Sequence, residues 1–588
     1  MTDPAHQPHP DAGWKRRDFV AAACFFAATA AVVLWQNAHL VVLWDLSYVL
    51  DSATRMALGQ MPYRDFPFAH APLTFLIQAA IIRLTGRVFF HHVLYCALVG
   101  GVSTVLAWRI VLRAVRGAWW IAGLLSLPLT VLGIYCILPH PSYDCDCAFS
   151  ILVAIWLLQR FDRDSAGEPG TRHASMPWRS FAAGGAVVLP LFFKQNIGLV
   201  FLAAVVAAFL VLLAARFLRL APAGAETPAL LAALGGLATA LTTAALLLHF
   251  TVGLRNYIYW TIGFAAERRL PGLQQMIGVY REQSLLWMLP CVAVGLALWR
   301  SRLRTRASAR VASLALLAAP FLWTVASLLV YDDADERGDS LLALWLLLLI
   351  LSAAHTLWNL RRGPSLCALL PGIVLLTING TLMSQQLWGS TYAIWPLLIL
   401  LIAEMVVFLG SELNPSSNSN LPVGASVLGI VIAATLLLCG AFYTASEERL
   451  SYAQFPEGPV VHATFPQLAG MGTPGPYLPD FEELVRFAEA HIPASDGIIL
   501  LPGEDPFYFV TGRVPQFPVL LFDPAADPYS PVEVVEQVRA HNIRWLIVKR
   551  GLQIKEDPTP QREPTMKELM GAFVLDIRLR GYDVYRRQ

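Results

Sequence analysis

Residues 196–215 read NIGLVFLAAVVAAFLVLLAA, a stretch without a charged side chain that lies between Lys194 and Arg216. A helix of about 20 apolar residues crosses the ~30 Å hydrocarbon core of a membrane, because it satisfies its own backbone polar groups. This stretch therefore predicts a membrane-spanning helix. Similar stretches occur on both sides of it, and the sequence predicts about thirteen spans, near 18–36, 88–112, 118–137, 147–160, 180–194, 196–215, 229–252, 284–299, 311–330, 341–358, 364–383, 391–409 and 423–443.

The composition of the whole chain agrees with this pattern. Hydrophobic residues make up 56% of the sequence and charged residues 14%, whereas soluble globular proteins carry about 25% charged residues. These proportions exclude an ordinary soluble enzyme. The net charge of +2 is far from the basic footprint of a nucleic-acid-binding protein. The eight cysteines are scattered and predict no disulfide framework.

The distribution of lysine and arginine predicts the orientation. Basic segments fall on alternate connections, at 15–17, 109–116, 160–179, 216–219, 300–310 and 361–362. Because basic residues are retained on the cytoplasmic side, the N-terminus (1–17) is predicted to be cytoplasmic and the first span uncleaved. An odd number of spans then places the C-terminus outside. The same alternation requires residues 72–86 to lie in the outer interface rather than to span the membrane.

The composition changes after Tyr443. Charged residues, prolines and glycines become more frequent, and the apolar runs shorten to strand length. Helical spacing alternates with strand-like runs, which favours a small α/β unit. The predicted fold class is therefore a polytopic α-helical membrane domain (18–443) followed by a small extracytoplasmic α/β domain (444–588).

The first outer loop, residues 37–87, is the most informative polar segment. Asp45, Tyr48, Ser52 and Arg55 fall near helical spacing, so one face of a short helix would present a carboxylate, hydroxyls and a guanidinium to a common cavity. A carboxylate this close to a membrane costs free energy, and such residues usually have a function. The plain alternative is an Asp45 that caps a helix or forms a surface salt bridge.

The order of motifs in this loop resembles that of GT-C-type glycosyltransferases, membrane enzymes that use polyprenyl-phosphate sugars and include aminoarabinose transferases and protein O-mannosyltransferases. The matching elements are Asp45, Gly59 at a turn, Tyr63-Arg-Asp-Phe66 and His70-Ala-Pro-Leu73. Only this loop is specific, although the span number and the outside C-terminal domain agree along most of the chain. The resemblance implies that Asp45 is the catalytic general base and that substrate is bound by Tyr48, Arg55, Tyr63, Arg64 and His70.

A second acidic cluster, Pro139-His-Pro-Ser-Tyr-Asp-Cys-Asp-Cys147, follows the third predicted span. GT-C enzymes often carry a second acidic residue in this loop. The resemblance therefore implies a catalytic role for Asp144 or Asp146, in acceptor binding or in holding a metal, and does not choose between them. The spacing fits tetrahedral zinc poorly. A divalent metal is left open as a cofactor, and no metal ligand is assigned.

Cationic side chains predicted on the outer side are natural partners for a lipid phosphate. Lys194 lies between two apolar runs, where burying an ionisable group costs free energy and usually indicates a function. The alternative interpretation is that the Lys194 side chain extends so that its ammonium reaches the membrane interface. Arg268 and Arg269 lie in an aromatic-rich loop that fits either an interfacial helix over the site or an ordinary aromatic belt. Substrate binding is predicted for all three.

These observations favour an inverting glycosyltransferase that moves a monosaccharide, a hexose or pentose, from a polyprenyl-phosphate donor to a lipid-glycan, polysaccharide or protein acceptor. The expected location is the bacterial inner membrane, with the chemistry at its outer face and a role in cell-envelope glycans. The alternative is a secondary transporter or flippase for a lipid-linked or polar substrate. Transporters usually place polar residues at mid-membrane in paired repeats, whereas here these residues concentrate in outer loops. The sequence identifies neither the sugar nor the acceptor.

Overall fold

The computed structural model describes most of the chain from Trp14 onward. The described residues are 14–115, 118–164, 177–218, 227–301, 306–361, 365–383, 393–413, 423–450, 452–523, 526–555 and 562–588. Parts of the predicted cytoplasmic loops, including much of 160–179, lie outside these ranges.

The chain is helical up to Ala445. The α-helices of this part are α1 (Arg16–Asn37), α2 (Leu43–Ala57), α3 (Leu73–Thr85), α4 (Phe89–Ala114), α5 (Trp119–Ser126), α6 (Leu129–Leu132), α7 (Tyr143–Asp164), α8 (Pro177–Ala186), α9 (Leu189–Phe193), α10 (Gln195–Phe217), α11 (Thr227–Thr251), α12 (Leu254–Ile258), α13 (Ala265–Arg269), α14 (Leu273–Gly278), α15 (Leu285–Arg300), α16 (Ala307–Val330), α17 (Ala334–Leu360), α18 (Leu366–Gly380), α19 (Trp395–Leu413) and α20 (Val423–Ala445). A π-helical segment, Tyr259–Phe264, joins α12 to α13.

Within the described residues, seven helices are long and apolar enough to cross a membrane, or eight if the bent pair around α14 and α15 is one span. They lie in α1, α4, α10, α11, α16, α17 and α20. The predicted multi-pass helical architecture is confirmed, whereas the count of thirteen stays a prediction.

Two predicted spans are broken into short helices. The stretch 118–137 forms α5 and α6, and 180–194 forms α8 and α9. Pro128 precedes the first turn of α6, and Pro190 lies in the first turn of α9. Proline starts a helix well but cannot continue one. Both stretches are therefore apolar and helical as predicted, but neither forms one continuous helix.

The C-terminal part is the small α/β domain that the sequence predicted. Its helices are α21 (Tyr477–His491), α22 (Phe507–Thr511), α23 (Pro531–Ala540) and α24 (Arg562–Leu569), and its strands are β1 (Val460–His462), β2 (Gly472–Pro474), β3 (Gly497–Leu501), β4 (Ile543–Lys549), β5 (Phe573–Arg578) and β6 (Tyr582–Arg587). The main sheet has the order β3-β4-β6-β5, with β3 parallel to β4 and the other pairs antiparallel. Strands β1 and β2 form a separate antiparallel ribbon.

The α/β domain is fixed to the helical domain by α22. The Asp51 carboxylate of α2 accepts hydrogen bonds from the backbone N–H groups of Tyr508 and Phe509, at 3.2 and 2.7 Å. At the other end of α22, the Arg87 guanidinium donates to the carbonyls of Phe509 and Val510, at 2.9 and 2.7 Å. A carboxylate at the first N–H groups of a helix and a cation at its last carbonyls both interact favourably with the helix dipole. The first loop and the C-terminal domain are therefore packed against each other at α22.

Candidate active site

The candidate site is built on α2, whose first turn carries Asp45. Its buried side chains recur with helical spacing, at Leu46, Val49, Leu50 and Ala53, so one face packs into the core and the adjoining face carries the polar groups. The chain leaves α2 through Gly59, whose φ is +98°. L-amino acids rarely adopt such an angle, which explains the glycine at this turn.

The Asp45 carboxylate is partly buried and bound from the C-terminal side of the chain. The Tyr452 hydroxyl donates to its Oδ2 at 2.5 Å. Burial raises the pKa of Asp45 to about 6, against the lowering effect of the Tyr452 hydrogen bond and with a further increase from the nearby charges of Asp144 and Asp523. A carboxylate with this pKa is mostly ionised at neutral pH and is a stronger base than a carboxylate in water.

Asp144 and Lys194 form a buried ion pair close to Asp45. The Lys194 ammonium contacts Oδ1 of Asp144, and both side chains are about nine-tenths buried. The ammonium also lies over the Tyr143 ring, 5.1 Å from its centroid. An ion pair in such surroundings is costly to desolvate, which favours a functional reason for its presence.

A break between two helices places Lys194 in the site. Lys194 has extended backbone angles (φ −146°, ψ 115°) and separates α9 from α10. The two helices meet closely at Gly198, where a Cβ atom would lie 2.3 Å from the backbone nitrogen of Leu191. A larger residue at this position would open the break and displace the ammonium.

Three aromatic rings connect the ion pair with α2. The Tyr48 hydroxyl lies 2.8 Å from Nδ1 of His70, and the His70 and Tyr143 ring centroids are 4.7 Å apart. The next residue after Lys194, Gln195, holds the His70 segment in place, since its side-chain amide donates to the Ala69 carbonyl at 2.9 Å. The site thus combines a carboxylate, an ion pair and an aromatic wall.

Asp146 lies close by in sequence but has different surroundings. Its Oδ2 accepts from the Thr74 hydroxyl, and its Oδ1 accepts from the hydroxyls of Tyr95 and Tyr135, each at 2.7 Å. Three hydroxyl donors from three segments make Asp146 a structural connection between the start of α7 and its neighbours. Asp144, and not Asp146, faces Lys194.

The remaining predicted substrate-binding residues of the first loop make contacts of other kinds. Arg55 donates to the carbonyls of Pro518 and Phe517, at 2.7 and 3.1 Å. Tyr63, with a strained φ of +67°, donates its hydroxyl to the His70 carbonyl at 2.6 Å. Arg64 is half-exposed and pairs with Asp65. These contacts shape the loop and its junction with the C-terminal domain.

The predicted arginines of the aromatic-rich loop are only partly described. Arg268 is exposed, lies 5.6 Å from the centroid of the Phe264 ring, and is close enough to Asp527 to lower the pKa of that carboxyl. Burial outweighs this effect and raises the pKa of Asp527 to about 7. The side chain of Arg269 lies outside the described residues.

No metal centre is formed by the described residues. Groups of three or more histidine, cysteine or acidic side chains in positions to hold a metal ion do not occur among them. Near Asp45, the Asp144 carboxylate is paired with the Lys194 ammonium, and an ammonium in this place opposes a cation.

A second connection from the C-terminal domain holds the start of α2. The Gln553 amide accepts from the Leu43 N–H and donates to the Val41 carbonyl, both at 2.8 Å. Gln553 is in turn held by Glu504, whose Oε1 accepts the backbone N–H of Gln553 at 2.8 Å. Residues 452–454 pair with 553–555, so the same short ladder positions Tyr452 and Gln553.

Sequence reasoning did not find Tyr452, Asp523 or Gln553. Tyr452 and Gln553 lie 407 and 510 residues along the chain from their partners Asp45 and Leu43. They lie in no recognisable motif, and only the folded chain brings them to the site.

Some solved structures have an overall chain path similar to that of this protein. No protein-family model and no curated protein matches the sequence. Among solved structures, the chain is similar to ArnT from Cupriavidus metallidurans bound to undecaprenyl phosphate, with 12% identity, a TM-score of 0.44 and coverage of 97% of this chain and 98% of that one. It is similar to the apo oligosaccharyltransferase of Archaeoglobus fulgidus, with 10% identity, a TM-score of 0.48 and coverage of 91% and 70%. It is also similar to AglB from the same organism, in complex with an inhibitory peptide and a dolichol-phosphate, with 11% identity, a TM-score of 0.45 and the same coverage.

Proposed function

We propose that this chain is an inverting glycosyltransferase of the GT-C type, which moves a monosaccharide from a polyprenyl-phosphate donor to an acceptor nucleophile at the membrane face occupied by the C-terminal domain. The observation that carries the proposal is the partly buried Asp45 carboxylate, with its pKa of about 6, beside the Asp144–Lys194 ion pair. This combination offers a base and a cation at the edge of a hydrophobic domain, which a lipid-linked sugar phosphate requires.

The reaction needs a base on one face of the sugar and a stabilised leaving group on the other. The acceptor oxygen attacks the anomeric carbon while Asp45 takes its proton. The bond between the anomeric carbon and the phosphate oxygen breaks, and its electron pair stays on the polyprenyl phosphate. Attack opposite to the leaving group inverts the anomeric configuration.

Lys194 is the cation best placed to bind the phosphate of the donor. Its ammonium already balances Asp144, so it is held in position before the substrate arrives. A charge fixed in this way stabilises the developing phosphate without reorganisation. The rings of Tyr48, His70 and Tyr143 supply flat surfaces for the sugar.

We further propose the orientation indicated by the basic loops, with the N-terminus in the cytoplasm and Asp45 outside. In a bacterium this location is the periplasmic side of the inner membrane. The acceptor is then a cell-envelope glycan, a glycolipid or an exported protein.

The test uses the purified full-length protein in nanodiscs with a panel of polyprenyl-phosphate hexoses, pentoses and aminopentoses, and an envelope extract as the acceptor. We expect one donor to be consumed with release of free polyprenyl phosphate and transfer of label to the extract, detected by mass spectrometry. Flipping of the intact donor without a glycosidic product would instead establish the transporter. Absence of both would reject the proposed donor class.

The acid limb of the pH–activity profile should report the ionisation of Asp45. Because Asp45 must be ionised to accept a proton, kcat/KM should fall as the pH decreases through about 6. Replacing Tyr452 with phenylalanine removes the hydrogen bond that favours the ionised form. The limb should therefore move to higher pH by about one unit, the size expected for a hydrogen bond to a charged group. An unmoved limb in Tyr452→Phe would show that a different group titrates.

A further inference from the structure

A second site lies in the opposite half of the helical domain. A cavity of about 230 Å³ lies among α15, α16, α17, α19 and α20. Helix α20 ends at Ala445, beside the C-terminal domain, and its residues lining the cavity, Leu428 and Ile432, lie near its other end. The cavity is thus remote from Asp45 and belongs to the other leaflet.

The lining of the cavity is apolar along its depth and cationic at one end. Leucine, isoleucine, valine and aromatic side chains form most of the wall, and the described lining contains no acid. Arg300 and His355 are its ionisable members. Arg300 is the last residue of α15, and His355 lies in the last two turns of α17, so both stand where the cavity approaches the membrane surface.

Two guanidinium groups lie near one aromatic ring at this end. Arg300 lies over the Trp358 ring at 4.9 Å from its centroid and over Phe408 at 5.4 Å. Arg361 approaches the same Trp358 ring at 5.6 Å. Both arginines are exposed. Stacking on aromatic faces holds a guanidinium in a fixed orientation.

We propose that this cavity binds one anionic glycerophospholipid from the leaflet opposite the C-terminal domain. One acyl chain enters the apolar cavity, and the phosphate lies against Arg300 and Arg361. An apolar cavity of about 150 Å³ is large enough for benzene, so the present volume accepts a substantial part of an acyl chain. Basic pockets between helices on the cytoplasmic side are suited to anionic headgroups, and the alternation of basic loops places this end there.

The binding of phosphatidylglycerol tests the proposal independently of catalysis. Full-length protein is stripped of lipid in detergent, mixed with equal amounts of phosphatidylglycerol and phosphatidylcholine, and examined by native mass spectrometry. We expect one retained phosphatidylglycerol with a preference of about 30-fold over phosphatidylcholine, as two cations near a headgroup supply. Glycerol phosphate should not displace it, because that compound lacks the acyl chain.

Two pairs of variants separate this site from general lipid contact. The double variant Arg300→Gln/Arg361→Gln should lose the headgroup preference, whereas Arg310→Gln, an exposed arginine at the same face that does not line the cavity, should keep it. Leu351→Trp fills the cavity and should abolish retention of the lipid, whereas Leu357→Trp, which is 65% exposed and outside the cavity, should not. Equal retention of both lipids by the unmodified chain, or unchanged retention in both test variants, would overturn the proposal.

Discussion

Replacing Asp45 with asparagine should reduce turnover by roughly 10²–10⁴-fold, the usual contribution of a positioned general base. Asparagine has nearly the same shape and can still accept the Tyr452 hydrogen bond, so the loss would reflect the proton acceptor and not the packing. The measurement is the initial rate of polyprenyl phosphate release from the donor identified in the nanodisc assay. The residual rate should lack the acid limb near pH 6, because the group that titrates is gone.

The matched control for Asp45→Asn is Asp332→Asn. Asp332 is an exposed carboxylate in the connection between α16 and α17, so its removal changes the net charge equally without entering the site. We expect this variant to keep full turnover. Unchanged turnover in Asp45→Asn, at normal expression and thermal stability, would exclude Asp45 as the base.

Replacing Lys549 with methionine should destabilise the C-terminal domain by about 3–5 kcal/mol, as expected when one partner of a buried ion pair is removed. The Lys549 ammonium lies 2.7 Å from both Glu504 and Asp505, and all three side chains are at most 5% exposed. Burial alone would lower the pKa of Lys549, but the attraction of Asp505 and Glu504 outweighs it and raises this pKa. The lysine is therefore charged in the fold, and its loss leaves two buried acids uncompensated.

This destabilisation should also reduce turnover. Glu504 holds Gln553, and Gln553 holds the start of α2, two residues before Asp45. Thermal unfolding and hydrogen exchange of residues 497–588 measure the stability, and the donor assay measures the consequence for the site. Gln553→Ala, which keeps the ion pair, should reduce turnover with a much smaller loss of stability.

The control for Lys549→Met is Arg544→Met on the same strand. Arg544 is 59% exposed at its side chain and pairs with Asp496 at 3.5 Å, and exposed pairs contribute about 0–1 kcal/mol. The triple variant Lys549→Met/Glu504→Gln/Asp505→Asn should recover part of the lost stability, because it removes the uncompensated charges. Equal stability of Lys549→Met and Arg544→Met would show that the pair contributes nothing.

Much of the architecture could be predicted from local sequence. Long apolar runs predicted the membrane helices, and alternating strand and helix patterns predicted the C-terminal sheet, because both depend on residue spacing within one element. Breaks such as the one at Pro190 were harder, since an apolar stretch looks continuous until packing decides where it bends. Strand β5 is hard to predict from sequence: its side chains are mostly exposed, so it lacks the alternation of a half-buried strand.

The sequence by itself determined a polytopic helical protein with a polar first loop, and it singled out Asp45, His70 and Lys194 as chemical groups. It did not choose between Asp144 and Asp146, because residues two apart on a helix point about 200° away from each other and the sequence does not say which face is enclosed. The tertiary structure gives the two aspartates different surroundings: Asp144 meets Lys194, whereas Asp146 is bound by three hydroxyls. It also decided the partners of Asp45. The contact of Tyr452 with Asp45 joins segments 407 residues apart, and such contacts arise from the packing of whole domains, which local spacing does not encode.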